Sequence, residues 1–170
     1  MKLQQIRERI AYKANSLTPK SATRNWLRTK RYSVALTLTL KQAITVQTST
    51  YSYKRKLQRK DCDLIATRFK QVLNKLIFGN AAKRYKKSLS YFVVAEGELS
   101  SKNLHLHMAI GDIPKHIKFN EIDTLVTEAK KHICELNEQH IVKVCDSDWI
   151  NYITKEISYN NTDNVLWQLM

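Results

Sequence analysis

Two apolar stretches separated by a short Ser-Ser turn, residues 89–98 and 103–110, constrain the fold of this chain most strongly. In the second stretch, leucine and methionine alternate with His105 and His107. Because alternate side chains of a strand lie on opposite faces of a sheet, the pattern predicts an antiparallel hairpin with one face in the core. The two imidazoles then lie together on the other face.

The register of this hairpin predicts which carboxylate lies beside the histidines. If residues 99–102 form a four-residue loop, Glu96 faces His105, and directly opposed residues share a face. Glu96, His105 and His107 then form a cluster that can bind Mn²⁺ or Mg²⁺ and leave positions open for phosphate oxygens. Glu98 lies on the same face and is the alternative third ligand. An isolated His-x-His pair is also common in strands that bind no metal.

Hydrophobic periodicity predicts the remaining elements. Residues 42–60 fit either a further strand or an ordered loop. The order from residue 32 is strand, helix, two strands, helix, strand and helix, which folds most simply as an α+β domain with a ferredoxin-like, RRM-like βαββαβ core. In this fold two helices cover one face of a central antiparallel sheet and the other face is free. Besides the hairpin, the predicted elements are strands at 32–41 and 139–145 and helices at 61–78, 119–136 and 148–159.

The positive charge of the chain is concentrated in its first third. Residues 1–60 contain 15 basic residues and one acid, whereas the rest of the chain contains 14 of each. We divide the chain into a basic N-terminal helix and arm, residues 1–31, with the helix at 2–14, and a globular domain, residues 32–170. A polyanion is the expected partner, and nucleic acid is favoured. The residues predicted to bind DNA are Lys30, Arg31, Lys54, Arg55, Lys56, Arg59, Lys60, Lys83 and Arg84.

The cysteines and the hydropathy of the chain indicate its compartment. Cys62, Cys134 and Cys145 are odd in number and widely spaced, which argues against a disulfide framework and against a CxxC zinc site. No stretch has the pattern of a secretory signal or the apolar length of a membrane span. We therefore expect a cytoplasmic protein with no membrane partner.

The last predicted helix carries a candidate nucleophile. In a helical projection of residues 148–159, Tyr152 and Lys155 are neighbours at i and i+3, on the flank of the apolar stripe. A tyrosine beside a cation suits attack on a phosphodiester, because the cation and a metal ion stabilise the charge that develops. Tyr159 lies on nearly the same face and is the second candidate. A Tyr-x-x-Lys pair without function is common on helix surfaces.

The order of these motifs resembles that of the HUH endonucleases, specifically the single-tyrosine Rep class of rolling-circle replication initiators. The strand ALTLTLK, residues 35–41, resembles the first family motif, and HLHMAI, residues 105–110, resembles the histidine–hydrophobic–histidine strand. YITKE, residues 152–156, resembles the YxxK helix that closes the family's domain. The segment AEGE, residues 95–98, resembles the stretch that carries the family's acidic ligand.

The resemblance implies a nickase and ligase that acts on single-stranded DNA at a replication origin of a plasmid or phage, in a bacterial or archaeal cell. It implies that His105, His107 and Glu96 hold the metal. Tyr152 would leave a 5′-phosphotyrosine and a free 3′-hydroxyl, and Lys155 would position water or phosphate or balance charge. The chain lacks a GxxxxGK[ST] motif, so no nucleotide cofactor is expected. An origin hairpin and a separate helicase and polymerase from the host are the implied partners.

Two other functions fit parts of the sequence. A single-tyrosine transposase or a mobilisation relaxase would use the same chemistry. Such transposases usually have glutamine four residues after the tyrosine, where this chain has Glu156, and relaxases carry the tyrosine near the N-terminus. A non-catalytic basic module that binds single strands would explain the charge and the element order. It requires neither motif, and the strand at residues 104–110 lacks the aromatic residues on which bases stack.

Overall fold

A computed structural model describes residues 18–97, 103–159 and 161–170 of the chain. The helix predicted at residues 2–14 and the alternative ligand Glu98 lie outside these ranges. The elements in chain order are α1 (Pro19–Arg28), β1 (Tyr32–Leu40), β2 (Ala43–Gln47), β3 (Ser52–Lys56), α2 (Arg59–Phe78), α3 (Asn80–Arg84), β4 (Ser90–Glu96), β5 (His105–Gly111), α4 (Phe119–Lys130), β6 (Leu136–Val144), α5 (Ser147–Ile153) and a 3₁₀ turn (Trp167–Leu169).

A four-stranded antiparallel sheet in the order β4-β5-β1-β6 forms the centre of the fold. Because β5 is inserted between β4 and β1, this is the strand order of a ferredoxin-like core, and the predicted α+β fold class is confirmed. The remaining two strands of the described ranges, β2 and β3, pair with each other in a second, two-stranded sheet. Residues 42–60 therefore contain a separate β-hairpin between β1 and α2.

The helices α2 and α4 cover one face of the sheet, as the sequence predicts. The alternate residues of β1 that point to this face are at most 1% exposed, which explains the strong apolar alternation of that strand. The core side chains of β1 on this face are Val34, Leu36, Leu38 and Leu40. The buried residues that α2 contributes are Cys62, Ile65, Ala66, Phe69, Leu73, Asn74 and Ile77.

The second face of the sheet is largely covered, so the expectation that it is free was wrong. α1, α5 and residues 164–166 contribute to a second apolar core on this face. Part of the predicted polar arm forms α1, because Thr23 and Leu27, four residues apart, give an otherwise polar helix a narrow buried stripe. The part of the face that stays open is a cleft over β1, β5 and β6. The buried apolar residues of this core are Leu27, Phe92, Val94, Ala109, Ile150, Ile153, Ile157 and Val165.

Two helices end earlier than apolar spacing predicts. α4 ends at Lys130, and the strand that follows begins at Leu136, within the predicted helix. α5 ends at Ile153, because the hydroxyl of Thr154 donates to the carbonyl oxygen of Ile150 at 2.7 Å and replaces the next helical bond. Ile157 is buried although it lies beyond α5, so its apolar character made the helix look longer.

Among the helices of the described residues, none is both long enough and apolar enough to cross a membrane.

Candidate active site

The hairpin of β4 and β5 brings the candidate metal ligands together. Glu96 is directly opposed to His105, as the loop length predicts. His107 follows two residues later on the same face of β5, where it is paired with Thr37 of β1. The carboxylate and both imidazoles therefore share the open part of the second face. Glu98 lies outside the described residues and is not placed.

Gly97 turns the chain immediately after Glu96. Its φ of +106° lies in the left-handed region that favours glycine. A Cβ atom at this position would lie 2.3 Å from the carbonyl oxygen of Asn103, on the other side of the hairpin. The close approach of the two backbones is possible only with glycine, and it closes the hairpin directly after the Glu96–His105 pair.

The three ligand atoms converge on one point. Nε2 of His105 and Nε2 of His107 lie 3.8 Å and 3.6 Å from Oε2 of Glu96, and the ligand atoms all lie within 4.8 Å of one another. Oε1 of Glu96 and Nε2 of His107 are buried and find no hydrogen-bond partner among the described residues. Because an unpaired buried polar atom is unfavourable, these atoms indicate a missing ligand, and the donor set fits a divalent cation.

The outer nitrogens of both imidazoles are held by hydrogen bonds. Nδ1 of His105 lies 2.7 Å from the carbonyl oxygen of Asn103, and Nδ1 of His107 lies 2.9 Å from the hydroxyl of Thr37. A carbonyl oxygen can only accept, so Nδ1 of His105 carries the proton and Nε2 keeps its lone pair. The Thr37 hydroxyl can hold His107 in the same tautomer, which is the one that binds metal through Nε2.

The predicted nucleophile lies at the same cluster. The ring centroid of Tyr152 is 5.1 Å from that of His107 and 5.6 Å from that of Trp149, on which it stacks. Nζ of Lys155 lies 3.6 Å from the centroid of the tyrosine ring and 2.7 Å from Oε2 of Glu96. Lys155 follows α5 in a turn, so the predicted neighbours meet without sharing a helix. The second candidate, Tyr159, lies beyond α5 and is 70% exposed.

Electrostatics keep the cluster in a form that can bind metal. Burial raises the pKa of Glu96, but His105, His107 and Lys155 outweigh this effect and hold it well below its usual range. Burial lowers the pKa of His107, so its imidazole is neutral at neutral pH. Contact with Glu96 raises the pKa of His105. The site thus presents a carboxylate and at least one neutral imidazole.

A cleft of about 430 Å³ opens beside the cluster, and three of its lining residues are not suggested by the sequence. The indole of Trp149 lies 5.3 Å from the His107 ring and donates to the carbonyl oxygen of Met108 at 3.1 Å. Ile141 and Lys143 enter because β6 pairs with β1, with Ile141 opposite Thr37. Apolar spacing identifies Trp149 only as a core residue. The lining residues are Thr37, Thr39, Asn103, His105, His107, Ile141, Lys143, Trp149 and Tyr152.

The basic residues predicted to bind DNA lie in two groups at opposite ends of the sheet. Gln42, at the base of the β2–β3 hairpin, makes hydrogen bonds to the backbone of Leu104, directly before His105, so this hairpin adjoins the active-site end. The group at this end comprises Lys54, Arg55, Lys56, Arg59 and Lys60. The other end, where β1 and β4 begin, has Lys30, Arg31, Lys83 and Arg84. α2, with 20 residues, separates α3 from the hairpin by about 30 Å.

Ion pairs already engage both arginines of the group beside the active site. Arg55 makes two hydrogen bonds of 2.7 Å to Asp61, and Arg59 contacts Asp63 at 3.2 Å. The exposed cations of this group that form no ion pair with any described residue are Lys54, Lys56 and Lys60.

The fold and the cluster define an α+β domain with two histidines and a glutamate on an antiparallel sheet, beside a tyrosine and a lysine. The model of the replication-associated protein ORF2 family matches residues 33–161, which include all of these side chains. The chain belongs to this family of rolling-circle replication initiators, and the resemblance drawn from the motif order is confirmed. No curated protein and no solved structure matches the chain.

Proposed function

We propose that this replication initiator nicks and rejoins single-stranded DNA at a replication origin, with Tyr152 as the nucleophile. The observation that carries the proposal is the convergence of a tyrosine, a lysine, two histidines and a glutamate on one cleft. Each group has a role in phosphodiester transfer, and the family supplies the context of replication.

A divalent ion, Mn²⁺ or Mg²⁺, fits the donor set of Glu96, His105 and His107. The unpaired buried atoms Nε2 of His107 and Oε1 of Glu96 support this assignment. A bound ion would supply Lewis-acid polarisation of a phosphodiester oxygen. Three protein ligands leave further coordination positions for water or substrate oxygens.

Tyr152 would attack the scissile phosphorus. A bond between the phenolic oxygen and phosphorus forms while the bond between phosphorus and the 3′ oxygen breaks, which leaves a 5′-phosphotyrosine and a free 3′-hydroxyl. The phenol loses a proton in this step, and the departing 3′ oxygen gains one. Because the new linkage is again a phosphodiester, attack by a 3′-hydroxyl can reverse the step and rejoin the strand.

Lys155 would act as a fixed cation in this step. Burial lowers its pKa, but its hydrogen bonds to Glu96 and Tyr152 outweigh this effect, so it stays protonated at neutral pH. Its ammonium lies 3.6 Å from the centroid of the tyrosine ring. There it can stabilise negative charge that develops on the phenolic oxygen and on the phosphate.

The β2–β3 hairpin is the proposed DNA interface beside the nick. Lys54, Lys56 and Lys60 provide exposed cations for phosphates, and Tyr51 and Tyr53 provide exposed rings on which an unpaired base can stack. The sequence did not single out these two tyrosines, because β3 has no apolar alternation. The basic residues at the far end of the sheet would contact origin DNA away from the nick, including a hairpin. A host helicase and polymerase would act on the nicked strand.

Covalent capture of DNA tests the proposal. The protein is incubated with Mn²⁺ and a pool of origin-like single strands labelled at the 3′ end, and products are separated on a denaturing gel. We expect a protein–DNA adduct with the wild type and none with Tyr152→Phe, which lacks the phenolic oxygen. Tyr159→Phe removes the same atom from the other candidate and should still form the adduct. No wild-type adduct across the pool, or an adduct with Tyr152→Phe, would refute the proposal.

Catalysis and binding should separate in the histidine variants. His105→Ala and His107→Ala each remove a ligand of the proposed metal, so we expect them to lose nicking. Their salt-sensitive binding to single-stranded DNA should persist, because the basic hairpin is unchanged. A binding module without catalysis would bind DNA in every variant and form no adduct in any of them.

A further inference from the structure

The helix α1 lies outside the region that matches the family and packs against the helix that carries Tyr152. α1 ends at Arg28, whereas the matched region begins at residue 33. Leu27 of α1 is 1% exposed in the second core, together with Ile150 and Ile153 of α5. The support of α5 therefore includes a helix that the family match does not cover.

One side chain of α1, Arg24, holds the end of α5 with two hydrogen bonds. Its Nε donates to the hydroxyl oxygen of Thr154 at 2.8 Å, and its Nη2 donates to the carbonyl oxygen of Asn151 at 2.9 Å. The two acceptors lie on either side of Tyr152 in the chain, and Thr154 directly precedes Lys155. Because a guanidinium presents its N–H groups in a rigid plane, the two bonds fix both position and orientation.

The acceptors depend on Arg24 because of where they lie. The last four carbonyl oxygens of a helix have no partner within it, and Asn151 is one of these residues in α5. Thr154 is 0% exposed, and its hydroxyl hydrogen is directed at Ile150 at 2.7 Å, with a longer contact of 3.3 Å to Asn151. The hydroxyl lone pair is thus left for Arg24. Removal of Arg24 would leave a buried acceptor without its donor.

We propose that Arg24 is a positioning residue for DNA nicking, which holds Tyr152 and Lys155 against the metal-ligand cluster. The inference rests on the proposed role of Tyr152 as the nucleophile. Arg24 acts through the backbone of Asn151, which directly precedes Tyr152, and through the side chain of Thr154, which directly precedes Lys155. α1 is then a working part of the active site.

Single-turnover nicking tests this role. In Arg24→Gln we expect the rate of adduct formation to fall by roughly 10- to 100-fold at unchanged DNA affinity, as is typical when a reacting group is misplaced by about 1 Å. Arg24→Lys keeps the charge and one donor, so its rate should lie between the two. Arg28→Gln is the matched control, because Arg28 carries the same charge on the exposed side of α1 and its side chain makes no hydrogen bond or ion pair with the described residues. It should nick like the wild type.

Hydrogen–deuterium exchange reads the contact without any nicking. In Arg24→Gln, amides of residues 153–155 should exchange faster, while those of β1 and β5 stay protected. Thr154→Val removes the hydroxyl that accepts from Arg24 and should reproduce this loss of protection. Thr154→Ser keeps the hydroxyl and should restore it.

The outcomes distinguish this inference from the proposed function. A wild-type nicking rate in Arg24→Gln, or unchanged exchange at residues 153–155, overturns the positioning role. If the wild type forms no adduct with any DNA, the proposed function fails, and the exchange measurement alone decides whether Arg24 holds α5. Should Arg24→Gln not fold, Arg24→Lys and Thr154→Val carry the same two measurements.

Discussion

His107 is enclosed by three rings and a hydroxyl group. The ring centroids of His105, Tyr152 and Trp149 lie 4.6, 5.1 and 5.3 Å from its own, and the Thr37 hydroxyl lies 2.9 Å from its Nδ1. These contacts fix the orientation of the imidazole, so Nε2 must face the carboxylate. A ligand held in this way needs no reorganisation when a metal binds.

Thr37→Val should weaken Mn²⁺ binding by about 10-fold or more, because it replaces the hydroxyl that orients His107 with a methyl group of similar volume. Isothermal titration calorimetry measures the affinity directly. Thr37→Ser keeps the hydroxyl and should bind like the wild type. Thr39→Val, on the same face of β1, is a control, because Thr39 makes no hydrogen bond to the histidines of the described structure. Equal affinities of Thr37→Val and Thr37→Ser would exclude a role for the hydroxyl.

At this scale the sequence predicts what depends on local register and misses what depends on docking. Glu96 can be placed opposite His105, because a short loop fixes the register and the two-residue period converts register into a face. Thr37 and Trp149 cannot be placed in this way. Their contacts with His107 follow from the strand order of the sheet and from the way α5 packs on it.

The β2–β3 hairpin presents its lysines away from the core. Lys54 and Lys56 are opposed to Thr45 and Ala43 on one face, whereas Ile44 on the other face packs against the main core. The hairpin is joined to α2 by the hydrogen bonds of the Arg55 side chain to Asp61. It is therefore a basic element anchored at its base beside the active site.

Lys54→Ala combined with Lys56→Ala should weaken binding to single-stranded DNA. The slope of log K against log salt should become shallower by about 0.7 for each lysine that contacts a phosphate. Fluorescence anisotropy over a salt series, in a Tyr152→Phe background to prevent nicking, measures both effects. Lys83→Ala with Arg84→Ala removes the same charge at the far end of the sheet and should have a smaller effect on a short strand that spans the nick. An equal loss would show that the hairpin has no special role.

Helices and strands are predictable from sequence to the extent that they bury an apolar stripe. β3 is exposed at four of its five residues, so it has no alternation to detect. α1 has two buried residues in ten, and its sequence is as polar as that of a loop. α5 shows the opposite error, since Ile157 continues the apolar spacing past the turn at Thr154.

The molecule has two apolar cores on the two faces of one sheet. The first lies between the sheet and two strongly amphipathic helices, and for that reason the sequence predicts it. The second joins Leu27, α5 and Val165, which are far apart in sequence and each too short to show a pattern. The division into residues 1–31 and 32–170 stays a prediction, and α1 of the first part packs on the second.

Mn²⁺ should stabilise the whole chain, because a metal that binds only the folded protein at 100 times its Kd adds about 2.7 kcal/mol to the free energy of unfolding. Thermal denaturation measures this as a rise in Tm that EDTA reverses. His105→Ala should lose the rise. His140→Ala should keep it, since His140 pairs with Asp123 at 3.0 Å and belongs to no metal-ligand cluster of the described residues. A rise of the same size in His105→Ala would place the metal elsewhere.

The hydrogen bond from Arg24 to Thr154 joins residues 130 positions apart in the chain. A contact at that separation forms only after the chain between has been ordered, because the entropy of closing so long a loop must be offset by contacts made earlier. The hairpin that carries Glu96 and His105 closes over a short loop and can form early. During folding, therefore, the metal ligands meet before the tyrosine is fixed in place, and an incompletely folded chain can hold a metal ion without being able to cut DNA.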